Sequence, residues 1–253
     1  MNRRILLATV VATLALPAAA VVAALALPAA VSAATPTAVS ARTPTAASAA
    51  DPSVTVRVEG LKRTLLLPTA THTHAGWITK YGAPTGECSA KSAQGALDVA
   101  TRHRWRGTWS TQYGPEYEIT SILGETHSFS SKYYWEIFVN NVAASAGACE
   151  LKLHAGEQLL FAAVRDSGTA FPLALEAPRS ARVGQTFSVK VVYFTAKGIA
   201  KPLSGATVSV AGHSGKTNRR GIVPLTPDHA GTFVLHAQRL GYIRAAPVTV
   251  RVS

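Results

Sequence analysis

"YYWEIFVNNVAASAGAC", residues 133–149, is the stretch on which the reading of this chain turns. Three aromatics run into Ile137, Phe138 and Val139, then come two asparagines, a run of small residues and a cysteine. Successive residues of a strand point to opposite faces. Tyr133, Trp135, Ile137 and Val139 therefore share one face, and Tyr134, Glu136 and Phe138 the other. Asparagine tolerates the positive φ that tight hairpin turns demand, so Asn140-Asn141 reads as the turn that ends the strand. "AGEQLLFAAV", residues 155–164, then reads as a further turn and strand. Two uses of the stretch stand side by side. Tyr134 and Trp135 can wall a ligand site with Asn140 and Asn141 at its rim, or they can be core, with Trp135 over a helix and Tyr134 beneath a loop.

Working outward, "SVTVRV" at residues 53–58 alternates polar and apolar, as a half-buried strand does, and residues 64–67 resume an apolar run after Gly60. Residues 69–87 look like loop, with Gly76, Gly82, Pro84 and Gly86. Ser89 or Ser92 is placed to cap a helix running to about Arg102, whose Ala93, Ala96, Leu97 and Ala100 follow the helical spacing. Strands are expected at 105–109, 117–122, 133–139 and 158–164. A hairpin, one helix and several strands predict a small α+β unit over residues 52–166, with a sheet packed on a single helix.

From residue 173 to 253 the pattern changes. Short strand-like runs at 173–176, 186–194, 206–210, 221–225, 231–237 and 248–252 are separated by turn signals, with no helical period between them. That predicts an all-β sandwich.

The first fifty residues belong to neither unit. Arg3 and Arg4 precede a long apolar run, and "VSA" at residues 31–33 has the small-residue pattern a signal peptidase reads. Residues 1–33 are expected to be a signal peptide cut between Ala33 and Ala34, so that no transmembrane segment remains in the mature chain. The same signature recurs at residues 39–41 and 47–49, which leaves later cuts open. An uncleaved anchor is the alternative, since the apolar run is long enough to span a bilayer. Residues 34–51, rich in Ala, Thr, Pro and Ser, read as a disordered linker. Beyond residue 33 the chain holds 23 Lys/Arg against 13 Asp/Glu. The basic residues are scattered and no nucleic-acid motif appears. An exported protein of this charge is expected to meet anionic cell-wall or surface polymer instead. Cys88 and Cys149, the two cysteines of an exported chain, read as a disulfide.

A resemblance joins these pieces. The opening "VTVRVEG" with "TLLLPT", the helix "ALDVATR", "ITSILGE", the aromatic strand with its "VNN" turn, and "GEQLLF" resemble an exported bacterial domain of unknown function. That domain is similar to the C-terminal domain of transcobalamin. The likeness spans about residues 53–165 and implies a β-grasp-like fold related to ligand-binding modules. In the cobalamin carriers the domain closes over a corrinoid held by a helical barrel, and no helical array precedes Asp51 here. "GATVSVAG", "AGTFVLHA" and "GYIRAAPVTV" resemble bacterial Ig-like or carboxypeptidase-regulatory-like modules, which implies a spacer or stalk.

Catalytic patterns fare poorly. "GHSGKT", residues 212–217, lacks the upstream glycine of a phosphate loop and the closing glycine of a nucleophile elbow, so it reads as a hairpin loop. His72 and His74 lack a nearby third metal ligand. Glu116 and Glu118 flank Tyr117 as a carboxylate pair suited to glycoside hydrolysis, a spacing that strands produce by chance. The expectation is a secreted or surface-associated binding or adhesion module with no catalysis and no cofactor, taking an unknown small ligand or a surface polymer. A corrinoid-type ligand and a cell-wall hydrolase are the alternatives.

Overall fold

The computed structural model describes residues 51–112, 114–166, 170–211 and 213–253. The expected signal peptide, its cut at Ala33 and Ala34, and the linker up to residue 50 lie outside the described residues. No described helix is long and apolar enough to cross a membrane. Over the described residues the fold is mostly β, with a single α-helix and several sheets.

In the first half, strands β1 (Ser53–Glu59) and β2 (Thr64–His72) form an antiparallel hairpin, and helix α1 (Ala93–Ala100) follows. Strands β3 (Trp105–Ser110), β4 (Glu116–Ile122) and β5 (Glu125–Thr126) make a three-stranded sheet. Strand β6 (Tyr133–Val139), the short β7 (Val142–Ala143) and β8 (Gln158–Arg165) join the first hairpin in a sheet of order β2-β1-β8-β6-β7. β8 runs parallel to β1 and antiparallel to β6, with Tyr133 opposite Arg165 and Val139 opposite Leu159. Asn140 and Asn141 sit at φ 50° and 68°, the left-handed pair of a two-residue hairpin turn.

The helix is short, and its cap fixes where it begins. The Ser92 hydroxyl accepts from the Gly95 N–H, while the amides of Ala93 and Gln94 donate to the Leu151 and Ala148 carbonyls. The first turn of α1 is thus hydrogen-bonded to the loop after β7. Ala93, Ala96 and Leu97 are fully buried with Val54, Val56, Val58, Trp105, Trp135 and Phe161 in one core. Small side chains allow a very close approach. A Cβ on Gly95 would fall 2.0 Å from the Ala90 carbonyl oxygen.

The expected loop at 69–87 is corrected in part, since β2 continues as strand to His72. "GHSGKT" is corrected too: His213–Lys216 forms a strand paired with Thr207–Val210.

In the second half, β9 (Phe171–Glu176), β10 (Ser180–Ala181), β11 (Phe187–Phe194), β12 (Ala200–Pro202), β13 (Thr207–Val210), β14 (His213–Lys216), β15 (Ile222–Leu225), β16 (Gly231–Gln238), β17 (Tyr242–Ile243) and β18 (Val248–Val252) form two sheets. One has the order β10-β18-β16-β13-β14, and the other β12-β11-β9-β17 with β15 on β11. Val189, Val191 and Leu173 of one sheet share a core with Val208, Leu235 and Val250 of the other, as a sandwich requires.

The two halves also touch. Phe138, Leu160, Ala162 and Val164, on the face of the first sheet turned away from α1, pack with Ile243. Arg244 bonds to Glu59 at 3.2 Å and to the Leu61 carbonyl at 3.1 Å, and Arg57 donates to the Arg244 carbonyl at 2.8 Å. The sheet around β6 and β8 is therefore covered on both faces, which the unbroken "LLFAAV" of β8 requires.

Candidate functional site

The odd-numbered residues of β6 turn their backbone groups away from β8, as the bond from the Ala144 amide to the Ile137 carbonyl shows. On that side β7 reaches only Phe138 and Val139. Among the described residues no strand pairs with Tyr133–Ile137 there, and the space is occupied instead by a cavity of about 480 Å3. Its walls come from β6 (Tyr134–Ile137), from β4 through Glu116, Tyr117 and Ile119, and from the loop after β7. Phe129 and Asp166 complete it.

The loop wall is firmly held. Cys149, between the lining residues Ala148 and Glu150, is disulfide-bonded to Cys88 with Cα atoms 4.8 Å apart. The expected bridge is present, and it ties the cavity wall to the turn before α1, beside the helix-to-loop hydrogen bonds. Closing a loop of that length stabilises by about 4 kcal/mol in the chain-entropy model.

The polar groups are mostly acidic. Glu116, Glu136, Glu150 and Asp166 all line the cavity, and among the described residues no Lys, Arg or His does. Burial, and then the nearby Glu150 charge, pushes the Glu116 carboxyl above the usual range. Glu116 also leaves no room at Gly147, where a Cβ would stand 1.6 Å from its Oε2. The Tyr134 hydroxyl donates to Glu136, and its ring stacks on Phe129 with centroids 5.0 Å apart. Burial, aided by that bond and the Glu136 charge, pushes the Tyr134 phenol up to about 12.

Trp135 is 5% exposed and packs with the main core, its ring edge-on to His127 at 5.2 Å. Its indole Nε1–H is buried without a hydrogen-bond partner.

Of the four residues expected at a ligand site, the structure brings Tyr134 and Trp135 to this cavity and separates Asn140 and Asn141 from it. Asn140 spends its side-chain oxygen on the Gln158 amide at 3.0 Å, which locks the hairpin turn. Asn141 instead lines a smaller cavity of about 150 Å3 with Arg57 and Leu173. Both asparagines are where they are because they close the turn at the far end of β6. The pair Glu116 and Glu118 is split as well, for Glu118 accepts from the Phe129 amide at 3.1 Å and only Glu116 lines the cavity. His74 bonds its neighbour's carbonyl, and no described group of three His, Cys, Asp or Glu can hold a metal ion. Glu136 was placed on the Tyr134 face without a site role, and Glu150 and Asp166 went unremarked in the sequence, because only the fold gathers them. The i, i+2 spacing of Tyr134 and Glu136 is the one local signal.

Residues 108–164, which carry β4, β6 and most of the cavity, match the family described as Domain of unknown function (DUF4430). No curated protein matches the chain. Among solved structures, a suspected metal binding protein from Ruminococcus gnavus ATCC 29149 is similar at 16% identity and a TM-score of 0.32. The match covers 46% of this chain and 98% of that one. At that identity and score the likeness assigns neither a ligand nor a fold to this chain.

Proposed function

We propose that the protein is a secreted or surface-associated binding module without catalysis, whose ligand occupies the cavity beside β6. The observation that carries this reading is the cavity itself. Its volume of about 480 Å3 falls in the range of roughly 300–1,000 Å3 typical of small-molecule sites. It combines aromatic rings with a few polar groups, and a disulfide-held loop keeps its wall in place before any ligand arrives. The signal-like amino terminus supports export. In this reading the first half is a β-grasp-like head and the second an Ig-like spacer, with the basic outer surface free to meet anionic polymer.

The transcobalamin-like reading rests on sequence motifs alone, and a cavity of about 480 Å3 suits a fragment of a corrinoid better than the whole macrocycle. A hydrolase has one observation in its favour, a Glu116 carboxyl raised by burial and by Glu150 in an open cavity. Thermal-shift and tryptophan-fluorescence screening of the full chain against chemically diverse small molecules tests the proposal. Hits are expected to raise the melting temperature and to be lost in Tyr134→Ala. Hits that survive Tyr134→Ala and Glu150→Ala contradict the location. Turnover of cell-wall polymer that disappears in Glu116→Gln replaces the binding reading with the hydrolase.

A further inference from the structure

The chemistry of the cavity narrows the class of ligand, and this step rests on the cavity being the binding site. In the chain as a whole, 25 Lys and Arg outnumber 13 Asp and Glu. Around the cavity the balance is reversed, with Glu116, Glu136, Glu150 and Asp166 and no basic side chain among the described lining residues. An anion placed there meets like charge from these four carboxylates at short range. The carboxylates are spread over β4, β6, the loop after β7 and the end of β8, and no three of them, with or without a histidine, come together to ligate one metal ion among the described residues. A compact divalent ion is poorly served by such an arrangement, and a larger cation with diffuse charge is well served.

The aromatic groups point the same way. Tyr134 and Phe129 form a stacked pair in the wall, and ring faces attract organic cations. Trp135 also contributes to the wall, but at 5% exposure most of its ring, the indole N–H included, is buried in the main core.

We infer that the cavity binds an organic ammonium ion with an apolar body, the carboxylates and rings taking the charge.

The test uses matched pairs in which a quaternary nitrogen is replaced by carbon. Choline is compared with 3,3-dimethylbutan-1-ol, and benzyltrimethylammonium with neopentylbenzene, by isothermal titration on the full chain. Calcium and zinc ions are titrated alongside. Each cation is expected to bind roughly tenfold or more tightly than its neutral partner, through charge and ring contacts worth that ratio together. Glu150→Gln and Asp166→Asn, both at exposed positions that folding tolerates, are expected to weaken the cations and leave the neutral compounds unchanged. Equal or tighter binding of the neutral partners, or no binding of either cation, overturns the inference, as does tight metal binding lost in the same variants. Neutral or anionic compounds from the broader screen that bind and are lost in Tyr134→Ala leave the cavity as the site while removing its charge preference. Failure of every compound, of any charge, removes both readings.

Discussion

Asp98 offers the sharpest test of how the first half is held together. It sits in the last turn of α1 and is 4% exposed. One carboxylate oxygen accepts from the Trp105 indole at 2.6 Å and from Lys80 at 3.1 Å, and the other faces His103 Nδ1 at 2.6 Å. The segment after α1 and the turn at Lys80 therefore meet on one side chain. Lys80 and His103 are substantially exposed, so their ion pairs contribute little. The Trp105 bond is buried, and removing its acceptor leaves an indole N–H stranded in the core. Asp98→Ala is accordingly expected to cost about 3 kcal/mol, most of it from the lost charge-assisted bond and the stranded donor. Asp98→Asn keeps an acceptor for the indole and is expected to cost about 1 kcal/mol. Urea denaturation near neutral pH measures both. Burial alone would raise the Asp98 carboxyl, but the bonds from Trp105, Lys80 and His103 outweigh it and hold it below its usual value. A depressed carboxylate contributes stability that is full above the unfolded-state pKa and is lost as pH falls through the folded-state one. The wild-type protein should therefore lose part of its stability over the Asp98 interval in acid, and Asp98→Asn should lack that component. Equal costs for the two substitutions, or a cost of Asp98→Ala below about 1 kcal/mol, refute the claim that the buried indole bond dominates.

Gly95→Ala is expected to destabilise by about 2–3 kcal/mol despite its better helix propensity, because the new Cβ meets backbone at Ala90 that has little room to give; thermal unfolding measures it. Replacing Cys88 and Cys149 together by serine should cost up to about 4 kcal/mol and raise hydrogen exchange in the loop after β7 before it does so in β8. Arg244→Ala removes bonds to Glu59 and to two carbonyls across the two halves, and should cost about 2 kcal/mol while lowering the cooperativity between their unfolding transitions in calorimetry.

What the sequence made legible is what local chemistry controls. Ser92 capped the helix, the two asparagines turned β6 back, and the alternation of residues 133–139 assigned Trp135, Ile137 and Val139 to one face. Short strands such as β5, β7 and β17 escaped, since two residues carry no period, and β2 ran on past Pro68, which its place at the edge of the sheet accommodates. The candidate site was half legible. Aromatic density singled out Tyr134 and Trp135, but Asn140 and Asn141 looked like rim residues only because they follow in the chain. Glu116, Glu150 and Asp166 line one cavity from separate elements, and Asp98 gains Lys80 only through the path of the chain before α1. Pairings of that kind are set by topology and leave no periodic trace.

The indole N–H signals of the protein test the binding-site claim most directly. Trp105 donates to Asp98 and is closed off, whereas the Trp135 donor has no partner and its residue lines the cavity. In a nitrogen–proton correlation spectrum of the full chain, with Trp135 assigned by its loss in Trp135→Phe, choline or benzyltrimethylammonium should move the Trp135 indole signal and leave that of Trp105 in place. A Trp135 signal that stays fixed while ligand-induced shifts gather elsewhere on the protein contradicts the placement of the site beside β6.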